Sequence, residues 1–335
     1  MMRTLVTVWK KELKQLLFTK DVIRQLESIS EVDWVTEGTP YGVDQLHKDI
    51  HRYDACLTSW GSPKLTVEVL AQAKQLSFVG HAAGTLTPYV DAEIFQKPIK
   101  VVNANTALAK STAELAVTLI MSGSWEIPNY RDRLKSGQWG ESASGNTVMG
   151  LSGQTVGIIG LGEISREVIR ILQAFNTRLL LYSPYCSVEE AQALGVTLCS
   201  LEEVLRNSRI VSLHDTLTTS TRGMIGKEQL KLLADGALLI NTARGPLIDE
   251  AALLEQLISG RISAALDVYH SEPVQSGYPL LKLPNVLCLP HIGAYSGYWK
   301  SQLAAMVVED LVRFASGQPC LREVNKERFL RMTAQ

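Results

Sequence analysis

From residue 151 onward, short apolar runs alternate with longer segments in which apolar residues recur at helical spacing. This alternation predicts parallel strands joined by helical crossovers, because a parallel neighbour needs a connection long enough to return across the sheet. The predicted strands are 155–160, 177–183, 196–199, 209–214, 236–243, 262–268 and 285–291, and the predicted helices are 163–175, 187–194, 200–206, 226–233 and 249–258. We therefore expect a doubly wound open sheet, in which ligands bind outside the carboxyl ends of the strands.

The first hundred residues show the same alternation on a smaller scale. Strands are predicted at 3–9, 33–38, 55–60, 76–83 and 99–105, and helices near 19–29, 42–51, 65–73 and 296–316. Since 335 residues exceed the usual size of one hydrophobic core, two domains are expected. The predicted boundaries are 1–103 plus 296–335 for a discontinuous domain and 104–295 for the other.

Composition and charge narrow the range of partners. The net charge of −1 provides no basic field for nucleic acid or for an anionic membrane. The longest apolar runs fall far short of the roughly 20 residues that cross a bilayer. The first residues, MMRTLVTVWKKELKQ, have no small-residue cleavage site of the kind that follows a signal peptide, so a cytoplasmic location is predicted.

The five cysteines are scattered and form no C-x-x-C pair. No histidine stands near them at a spacing typical of zinc ligands, so neither a metal site nor a disulfide framework is expected. Buried free thiols are the predicted state. The cysteines are Cys56, Cys186, Cys199, Cys288 and Cys320.

The segment TVGIIGLGEIS at 155–165 places a G-x-G turn after a predicted strand and at the start of a predicted helix. There, backbone N–H groups and the helix dipole can hold the pyrophosphate of a dinucleotide. Ser165 replaces the usual third glycine, and Glu163 adds a negative charge near the pyrophosphate. The candidate contacts are Gly160, Gly162, Glu163 and Ile164. The expected fold class is α/β, with two Rossmann-like doubly wound parallel-sheet domains, flavodoxin-like and dinucleotide-binding, and a cleft between them.

Ser183 stands at the end of the second predicted strand of this domain, 21 residues after Gly162. NAD-binding domains usually carry an Asp or Glu here, which hydrogen-bonds the ribose 2′-hydroxyl. A serine removes that acceptor and also the repulsion against a 2′-phosphate, yet no arginine in SPYCSVEE replaces it. The expected cofactor is NAD or NADP, with NAD preferred and the choice open.

Three side chains have the chemistry needed to reduce a 2-oxo acid with a nicotinamide cofactor. Arg244, in INTARGPLIDE, can bind a carboxylate through its bidentate guanidinium. His291, in LPHIGA, can supply the proton that the carbonyl oxygen takes up, and Glu272 can orient it and favour its protonated form. Ordinary roles stay open: a surface charge for Arg244, a core or interface imidazole for His291 and a solvated acid for Glu272.

The segments VGIIGLG, VSLHDTLTTSTRGMIG, LLINTARGPLIDEAAL, AALDVYHSEP and LPHIGA occur in this order. In sequence and spacing the chain resembles the D-isomer specific 2-hydroxyacid dehydrogenase family. The resemblance is specific over about 150–295 and weaker over 75–120. It implies an NAD(P)-dependent enzyme that interconverts a D-2-hydroxy acid and its 2-oxo acid, with a substrate (catalytic) domain at 1–103 plus 296–335 and an NAD(P)-binding domain at 104–295.

The resemblance also implies roles for individual residues. Arg244, Glu272 and His291 match the family's catalytic triad. Asp267 matches the residue that hydrogen-bonds the nicotinamide carboxamide. Other positions that contact the cofactor in the family match His214, Thr242, Ala243 and Gly293, and the loop whose amides meet the substrate carboxylate matches Ala82, Ala83 and Gly84.

Several residues depart from the common pattern. His81 is unusual before the substrate loop, where contact with the substrate and a local structural role are both open. Trp60 is a substrate-binding candidate, and Tyr295, Tyr298 and Trp299 line the same pocket or pack at a domain interface. The segment SWEIPNYRDRLKSGQWG, 124–140, corresponds to much of the family's dimer interface, so a homodimer is expected.

Two other functions stay open for this scaffold. The family also resembles corepressors that sense a dinucleotide without turnover, and the altered cofactor loop is compatible with such a binding protein. A dehydrogenase of a phosphorus oxyanion, such as phosphite or a phosphonate, would use the same three residues. The expected partners are a small 2-oxo or 2-hydroxy acid, with no nucleic acid, no membrane and no metal.

Overall fold

The computed structural model describes residues 1–139 and 148–332, and the chain divides into two compact units. Unit 1 consists of Met1–Leu108 and Tyr295–Gln335, and unit 2 is Ala109–Ala294. Each unit contains one parallel sheet with helices on both faces, which confirms the predicted α/β class with two doubly wound sheets. The assignment of substrate and cofactor roles to domains bounded at 103/104 and 295/296 stays a prediction.

The sheet of unit 1 has five parallel strands in the order β2-β1-β3-β4-β5. They are β1 Met2–Val6, β2 Ser30–Trp34, β3 Ala55–Thr58, β4 Phe78–His81 and β5 Lys100–Asn103. This is the flavodoxin-like order, and its direction reverses between β1 and β3. Open α/β sheets bind ligands outside the carboxyl ends of the strands at such a reversal.

Side chains of successive strand residues in unit 1 point to opposite faces, as the period of two requires. Leu5 and Val79 pack with the helices on one face, whereas Val6 and Phe78 pack with those on the other. The helices are α1 Lys11–Leu17, α2 Lys20–Glu27, α3 Val43–Asp49 and α4 Val67–Gln72, together with α12 Gly297–Ala315 and α13 Lys326–Leu330. Helix α5, Asn105–Ser124, begins in this unit and continues into unit 2.

The sheet of unit 2 has seven parallel strands in the order β12-β11-β10-β9-β6-β7-β8. They are β6 Thr155–Ile159, β7 Arg178–Tyr182, β8 Thr197–Leu198, β9 Ile210–Leu213, β10 Leu238–Asn241, β11 Ser263–Leu266 and β12 Val286–Cys288. Every residue of β9 and β10 is buried, as expected for central strands of a parallel sheet. The strand order reverses between β6 and β9, which places the ligand-binding edge beside the G-x-G turn.

Helices cover both faces of the unit 2 sheet. Helices α5, α7 and α8 pack on the face that includes Ile158, and α9, α10 and α11 pack on the face that includes Ile159. Helix α9 begins with a capping box in which Ser200 and Glu203 exchange hydrogen bonds. The helices are α6 Ile127–Lys135, α7 Glu163–Leu172, α8 Val188–Ala193, α9 Leu201–Asn207, α10 Lys227–Leu232 and α11 Glu250–Ile258, in addition to α5.

Each strand and helix predicted in 151–291 corresponds to an observed element of the same type, so those assignments are confirmed. Most of the predicted ends lie within two residues of the observed ends. The second strand of unit 1 is a correction, since it runs Ser30–Trp34 and not 33–38. Its partner β1 ends at Val6, and Gly38 turns the chain with φ +75°. No helix was predicted at the positions of α1, α6 and α13. In α1, charged residues outnumber the few apolar ones, so the apolar face gives only a weak helical pattern.

Over the described residues, no helix is both long and apolar enough to cross a membrane. The five cysteines are free, but only Cys56 is buried and the other four are partly exposed. This corrects the prediction of buried thiols, because the other four lie at strand ends and in loops. Within 1–139 and 148–332 there is no group of three or more His, Cys, Asp or Glu residues arranged to hold a metal.

Replacement of Gly80 tests how closely α12 packs on the sheet of unit 1. A Cβ at this position would clash with Val307 of α12 and lie 2.9 Å from Cδ2 of Leu57. We expect Gly80→Ala to lower the free energy of unfolding by about 1–3 kcal/mol, through overpacking, in urea denaturation. Val307→Ala in the same chain should recover part of this loss, and Gly42→Ala, where a Cβ meets nothing within 4 Å, is the control. Equal losses in both glycine variants would contradict the packing argument.

Candidate active site

The G-x-G turn lies at the point where the strand order of unit 2 reverses. Gly160 has φ +93°, and a Cβ there would lie 2.6 Å from backbone atoms of Asp215. The N–H of Gly160 donates to the carbonyl of Tyr182 (2.8 Å), and the N–H of His214 donates to that of Ile159 (2.8 Å). Only glycine fits a left-handed turn pressed this closely against the next loop.

Helix α7 begins at this turn and is fixed by Ser165. The N–H of Gly162 donates to Oγ of Ser165 (2.8 Å), whose hydroxyl donates back to the Gly162 carbonyl (3.1 Å). Ser165 is fully buried, so the serine at the third glycine position is accommodated because its hydroxyl is satisfied locally. A Cβ on Gly162 would meet nothing within 4 Å, so open space lies beside the helix N-terminus, as a bound pyrophosphate requires.

Two buried polar atoms at the carboxyl ends of β9 and β10 lack partners among the described residues. They are Nδ1 of His214 and Oγ1 of Thr242. The other ring nitrogen of His214 is hydrogen-bonded to Ser212 (2.9 Å), and burial lowers the pKa of His214 to about 4, so the ring is neutral at pH 7. Buried polar atoms normally have partners, so these two atoms fit a polar ligand at this edge, as the cofactor prediction requires.

Ser183, the predicted ribose position, is buried at the end of β7. Its hydroxyl accepts a long hydrogen bond from the N–H of Tyr185 (3.4 Å). The side chain is neutral and distinguishes little between a 2′-hydroxyl and a 2′-phosphate. Ile164 and Glu163 lie in the first turn of α7 and are partly exposed.

Arg244 follows β10 and lies in a turn that packs against the backbone of the loop after β11. The carbonyl of Arg244 accepts from Nδ2 of Asn241 (2.9 Å), and Oδ1 of Asn241 accepts from the N–H of Ala243 (3.0 Å). A Cβ on Gly245 would clash with the backbone of Tyr269, so glycine is needed after the arginine. The two loops are therefore in direct backbone contact.

The guanidinium of Arg244 is mostly buried and donates to the carbonyl of Ala243 (2.7 Å). Burial lowers the pKa of Arg244, and the charge of Glu272 opposes that shift. Within the described residues no carboxylate lies at ion-pair distance from this guanidinium. A buried cation with an incomplete set of acceptors is suited to an anionic ligand.

His291 and Glu272 are in direct contact. Nδ1 of His291 lies 2.6 Å from Oε2 of Glu272, and the other carboxylate oxygen accepts from the N–H of Tyr269 (2.9 Å). The Glu272 carboxylate is thus held by two groups. Because the carboxylate uses Nδ1 of the imidazole, Nε2 is left for another partner. His291 adopts φ +53°, an unusual conformation for a non-glycine residue, which is typical of constrained functional sites.

Asp267, at the end of β11, holds the loop that carries His291. Its two carboxylate oxygens accept from the N–H groups of Ile292 and Gly293, both at 2.8 Å. The Gly293 carbonyl accepts from the hydroxyl of Ser111 (2.6 Å). Burial raises the pKa of Asp267, and these two N–H donors oppose the shift. Sequence reasoning missed this loop-holding function, for which the motif ALDV carries no separate signal.

The structure therefore brings His291 into contact with Glu272 and Arg244 within electrostatic reach of Glu272, all at one edge of the unit 2 sheet. Their catalytic roles stay predictions at this stage. The same edge carries every cofactor-contact candidate, namely Gly160, Gly162, Glu163, Ile164, Ser183, His214, Thr242, Ala243, Asp267 and Gly293.

The predicted substrate loop belongs to unit 1, and its amides are largely engaged. The N–H of Ala82 donates to Thr58 (2.8 Å) and that of Ala83 to His81 (2.7 Å). Among the described residues, the N–H of Gly84 is the one of these three without a backbone partner, and Gly84 is itself buried, so the cradle of backbone amides stays a prediction. The Gly84 carbonyl accepts from Nδ2 of Asn103 (2.6 Å).

His81 lies inside unit 1. Nδ1 of its ring is hydrogen-bonded to Oγ1 of Thr58 (2.8 Å), and the ring stacks against Tyr89 with centroids 4.4 Å apart. Burial lowers the pKa of His81 to about 3. Of the two roles left open by the sequence, this placement favours the local structural one.

The aromatic residues singled out in the sequence also belong to unit 1. Trp60 and Trp299 are partly buried and pack against the hydrophobic core between α12 and the sheet of unit 1. Tyr295 and Tyr298 are 64% and 66% exposed, so they are not part of that core. In 124–140, the proposed interface segment, Gly140 lies outside the described residues, and Trp139 is 91% exposed.

Comparison with known proteins gives a consistent result. Residues 117–293 match the family model of the D-isomer specific 2-hydroxyacid dehydrogenase, NAD binding domain. The chain is 32% identical to a glyoxylate reductase of Korarchaeum cryptofilum over 308 residues, which cover 91% of this chain and 92% of that protein. The chain belongs to the D-isomer specific 2-hydroxyacid dehydrogenase family. The region matched by the family model includes the G-x-G turn, Arg244, Glu272 and His291.

Other members of the family extend this comparison. A D-3-phosphoglycerate dehydrogenase of Archaeoglobus fulgidus is 36% identical over 84% of this chain, which spans only 53% of that protein. The chain spans about half the length of the curated relatives of this kind that it matches. A solved glyoxylate reductase from Paecilomyes thermophila superposes with a TM-score of 0.76 at 26% identity, covering 97% of this chain and 99% of that one. A phosphoglycerate oxidoreductase from Rhizobium etli, with a TM-score of 0.82 at 24% identity, covers 96% and 98% and shares the fold.

The two glycines of the turn make separable predictions. Gly160→Ala places a side chain at φ +93° against Asp215, so the free energy of unfolding should fall by about 1–3 kcal/mol. Gly162→Ala has room in the fold and should keep its stability, but the methyl group would enter the proposed pyrophosphate space. We expect the Kd for NADH or NADPH, measured by fluorescence titration, to rise about tenfold. Unchanged dinucleotide binding in Gly162→Ala would exclude this position from the site.

His81 predicts a pH dependence of stability. Its folded-state pKa of about 3 lies below its ordinary value of 6.5, so unfolding takes up a proton once the pH falls below about 6.5. The stability contributed by the neutral ring is present above pH 6.5 and is lost as the pH falls toward 3. From pH 7.5 to 5.5 the loss attributable to His81 should be about 1 kcal/mol.

Urea denaturation at both pH values checks this prediction. The fall in the free energy of unfolding should be smaller in His81→Asn than in the wild type. His51→Asn, at an exposed position of the same unit, controls for the loss of an imidazole. Identical pH slopes in the wild type and His81→Asn would show that the ring is not neutralised by burial.

Proposed function

We propose that the protein is an NAD(P)-dependent dehydrogenase that interconverts a D-2-hydroxy acid and its 2-oxo acid by hydride transfer. The observation that carries this proposal is the 2.6 Å contact between His291 and Glu272, beside Arg244, at the ligand-binding edge of the NAD-binding domain. The names of several relatives, glyoxylate reductase and hydroxypyruvate reductase among them, support the reaction type. This contact also favours an enzyme over a dinucleotide-sensing protein without turnover.

Unit 2 has the residues to hold the cofactor. Gly160, Gly162 and the first turn of α7 would hold the pyrophosphate. The nicotinamide end would lie near Asp267, with the unpartnered atoms of His214 and Thr242 as further contacts and Ala243 and Gly293 alongside. When bound, the nicotinamide ring supplies or accepts a hydride at C4. Neutral Ser183 supports either NAD or NADP, and the preference for NAD stays a proposal.

Arg244 would bind the substrate carboxylate. Its guanidinium is mostly buried and, among the described residues, has no carboxylate partner, so an incoming carboxylate would compensate the cost of its burial. The planar fork can hold both carboxylate oxygens and fix the orientation of C2. Such positioning aligns C2 for hydride transfer and also polarises the 2-oxo group.

His291 would move the proton. During reduction, Nε2 donates a proton to the carbonyl oxygen of the 2-oxo acid as hydride reaches C2, and during oxidation it takes the proton back. Glu272 holds Nδ1 and so fixes the orientation of the imidazole, and its negative charge would stabilise the positive charge that the ring carries as the donor. The carboxylate is therefore a positioning and electrostatic partner, and the imidazole is the group that meets substrate.

Unit 1 would supply the remaining substrate contacts, in keeping with the proposed substrate domain at 1–103 plus 296–335. Gly84 and Trp60 are the proposed contacts. Ala83 would contribute through its position in the loop, since its N–H is already used by His81. A homodimer is the proposed assembly, and the exposed Trp139 supports an interface in 124–140.

Replacement of the proton donor tests the function. We expect His291→Gln to lower kcat by about 10²-fold or more with glyoxylate or hydroxypyruvate, because the general acid is lost. The Kd for NADH should stay near that of the wild type, since His291 is not assigned to cofactor binding. His51→Gln, exposed in unit 1, is the control.

A panel of 2-oxo acids with NADH and NADPH, together with phosphite, separates the alternative functions. The proposed enzyme reduces at least one 2-oxo acid in a His291-dependent manner. Dinucleotide binding without turnover on every compound would favour the corepressor-like function, and oxidation of phosphite alone would favour the oxyanion dehydrogenase. Normal turnover in His291→Gln would remove this residue from the mechanism.

A further inference from the structure

The hydroxyl of Tyr269 is a buried polar group that the proposed mechanism does not use. Tyr269 lies in the loop after β11, and its hydroxyl donates to the carbonyl of Leu289 (2.9 Å) and also contacts the carbonyl oxygen of Leu266 (3.2 Å). Burial raises the pKa of Tyr269, so the hydroxyl keeps its proton and acts as a donor. A buried tyrosine normally has a partner for its hydroxyl, and here the partners are the ends of two neighbouring strands.

The hydroxyl continues the pairing of β11 and β12 beyond their last residues. The N–H of Leu289 donates to the carbonyl of Leu266 (2.8 Å), next to the paired residues of the parallel ladder. Among the described residues, the donor to the carbonyl of Leu289 is the hydroxyl of Tyr269. Pro290 follows and has no N–H to donate. The bond from Tyr269 is therefore the last backbone attachment in the described chain before His291.

His291 is thus held on both sides along the chain. Asp267 binds the N–H groups of Ile292 and Gly293, which follow it, whereas Tyr269 binds the carbonyl of the strand end that precedes it. Between these attachments the backbone of His291 adopts φ +53°. A left-handed conformation at a non-glycine residue persists only where the surrounding contacts impose it. Loss of either attachment should therefore let the imidazole move.

The backbone of Tyr269 also holds the partner of this imidazole. Its N–H donates to Oε1 of Glu272 (2.9 Å), while Oε2 of the same carboxylate lies 2.6 Å from Nδ1 of His291. Tyr269 therefore restrains both members of the pair, the carboxylate through its N–H and the segment before the imidazole through its hydroxyl. Because both bonds come from one residue, the position of the phenol ring affects the separation of the pair.

The turn that carries Arg244 is held by other contacts of the same segment. A Cβ on Gly245 would clash with the backbone of Tyr269, and Nε2 of His270 donates to the carbonyl of Ile248 (2.8 Å). Neither contact involves the phenol hydroxyl. Removal of the hydroxyl should therefore affect proton transfer and leave the binding of the substrate carboxylate unchanged.

We propose that Tyr269 is a positioning residue for proton transfer, and that its hydroxyl sets the geometry of the contact between His291 and Glu272. This inference rests on the proposed function and adds to it a residue that acts through His291. The hydroxyl carries the effect, and the ring alone does not. Phenylalanine at this position would fill the same space without giving the same activity.

Removal of the hydroxyl tests the proposal. Tyr269→Phe keeps the ring and its edge-on contact with Tyr278, whose centroid lies 5.8 Å away, but leaves the carbonyl of Leu289 without this donor. We expect kcat for glyoxylate or hydroxypyruvate to fall about tenfold, because a small displacement of the proton donor slows the reaction strongly. The KM for the 2-oxo acid and the Kd for NADH should each change less than about twofold, because Arg244 and the glycine turn keep their contacts.

Tyr278→Phe is the matched control. It removes a hydroxyl from the same hydrophobic cluster, and among the described residues that hydroxyl bonds neither Leu266 nor Leu289. We expect kcat to stay within about twofold of the wild-type value. Urea denaturation of both variants measures the loss of stability, so that a kcat effect can be separated from partial unfolding. An equal loss of kcat in the two variants would overturn the inference.

A double variant shows whether the hydroxyl acts through the imidazole. In a His291→Gln background, Tyr269→Phe should lower the residual kcat less than about twofold, because residues that act as a unit are not additive. An equal fold loss in both backgrounds, or a wild-type kcat in Tyr269→Phe, would overturn the inference and leave the proposed function intact. Absence of turnover in the wild type with every 2-oxo acid would overturn both.

Discussion

The buried carboxylate of Asp267 is the interaction on which the edge of the unit 2 sheet that carries His291 depends. A charge in the interior of the sheet is costly unless it is hydrogen-bonded, and here both oxygens accept backbone N–H groups from the loop after β12. The same loop contains His291 in a left-handed conformation that few non-glycine residues adopt. The two hydrogen bonds thus offset the free-energy cost of burying Asp267 and also hold the strained backbone around His291 in place. The contact between His291 and Glu272 follows from that restraint.

The strand order reverses in the sheets of both units, but the polar groups near the two reversals differ. In unit 2 the strand order reverses beside a glycine turn, where a helix N-terminus and buried polar atoms without partners in the described part of the chain suit a dinucleotide. In unit 1 the reversal brings together the loops after β1 and β3, which are joined by the hydrogen bond from Nε1 of Trp9 to the carbonyl of Gly61. Topology determines where a ligand site forms, and the side chains after each strand determine what it binds.

Much of unit 2 was predictable from the sequence, because buried parallel strands are continuous apolar runs and the intervening helices keep a clear period. The positions of Arg244, Glu272 and His291 after successive strands were predictable for the same reason, and the contact of two of them agrees with that order. Strand β2 was misplaced because it lies at the edge of its sheet, where burial imposes a weaker pattern. The engagement of the Ala82 amide by the Thr58 carbonyl depends on a contact between segments that are distant in the sequence, for which a single sequence has no local signal.

The backbone contact between Gly245 and Tyr269 limits how this protein can be redesigned. Because the turn after Arg244 rests directly on the loop that leads to Glu272, neither loop can be lengthened or shortened without displacing the other. The 244–246 turn is therefore expected to tolerate almost no variation in length.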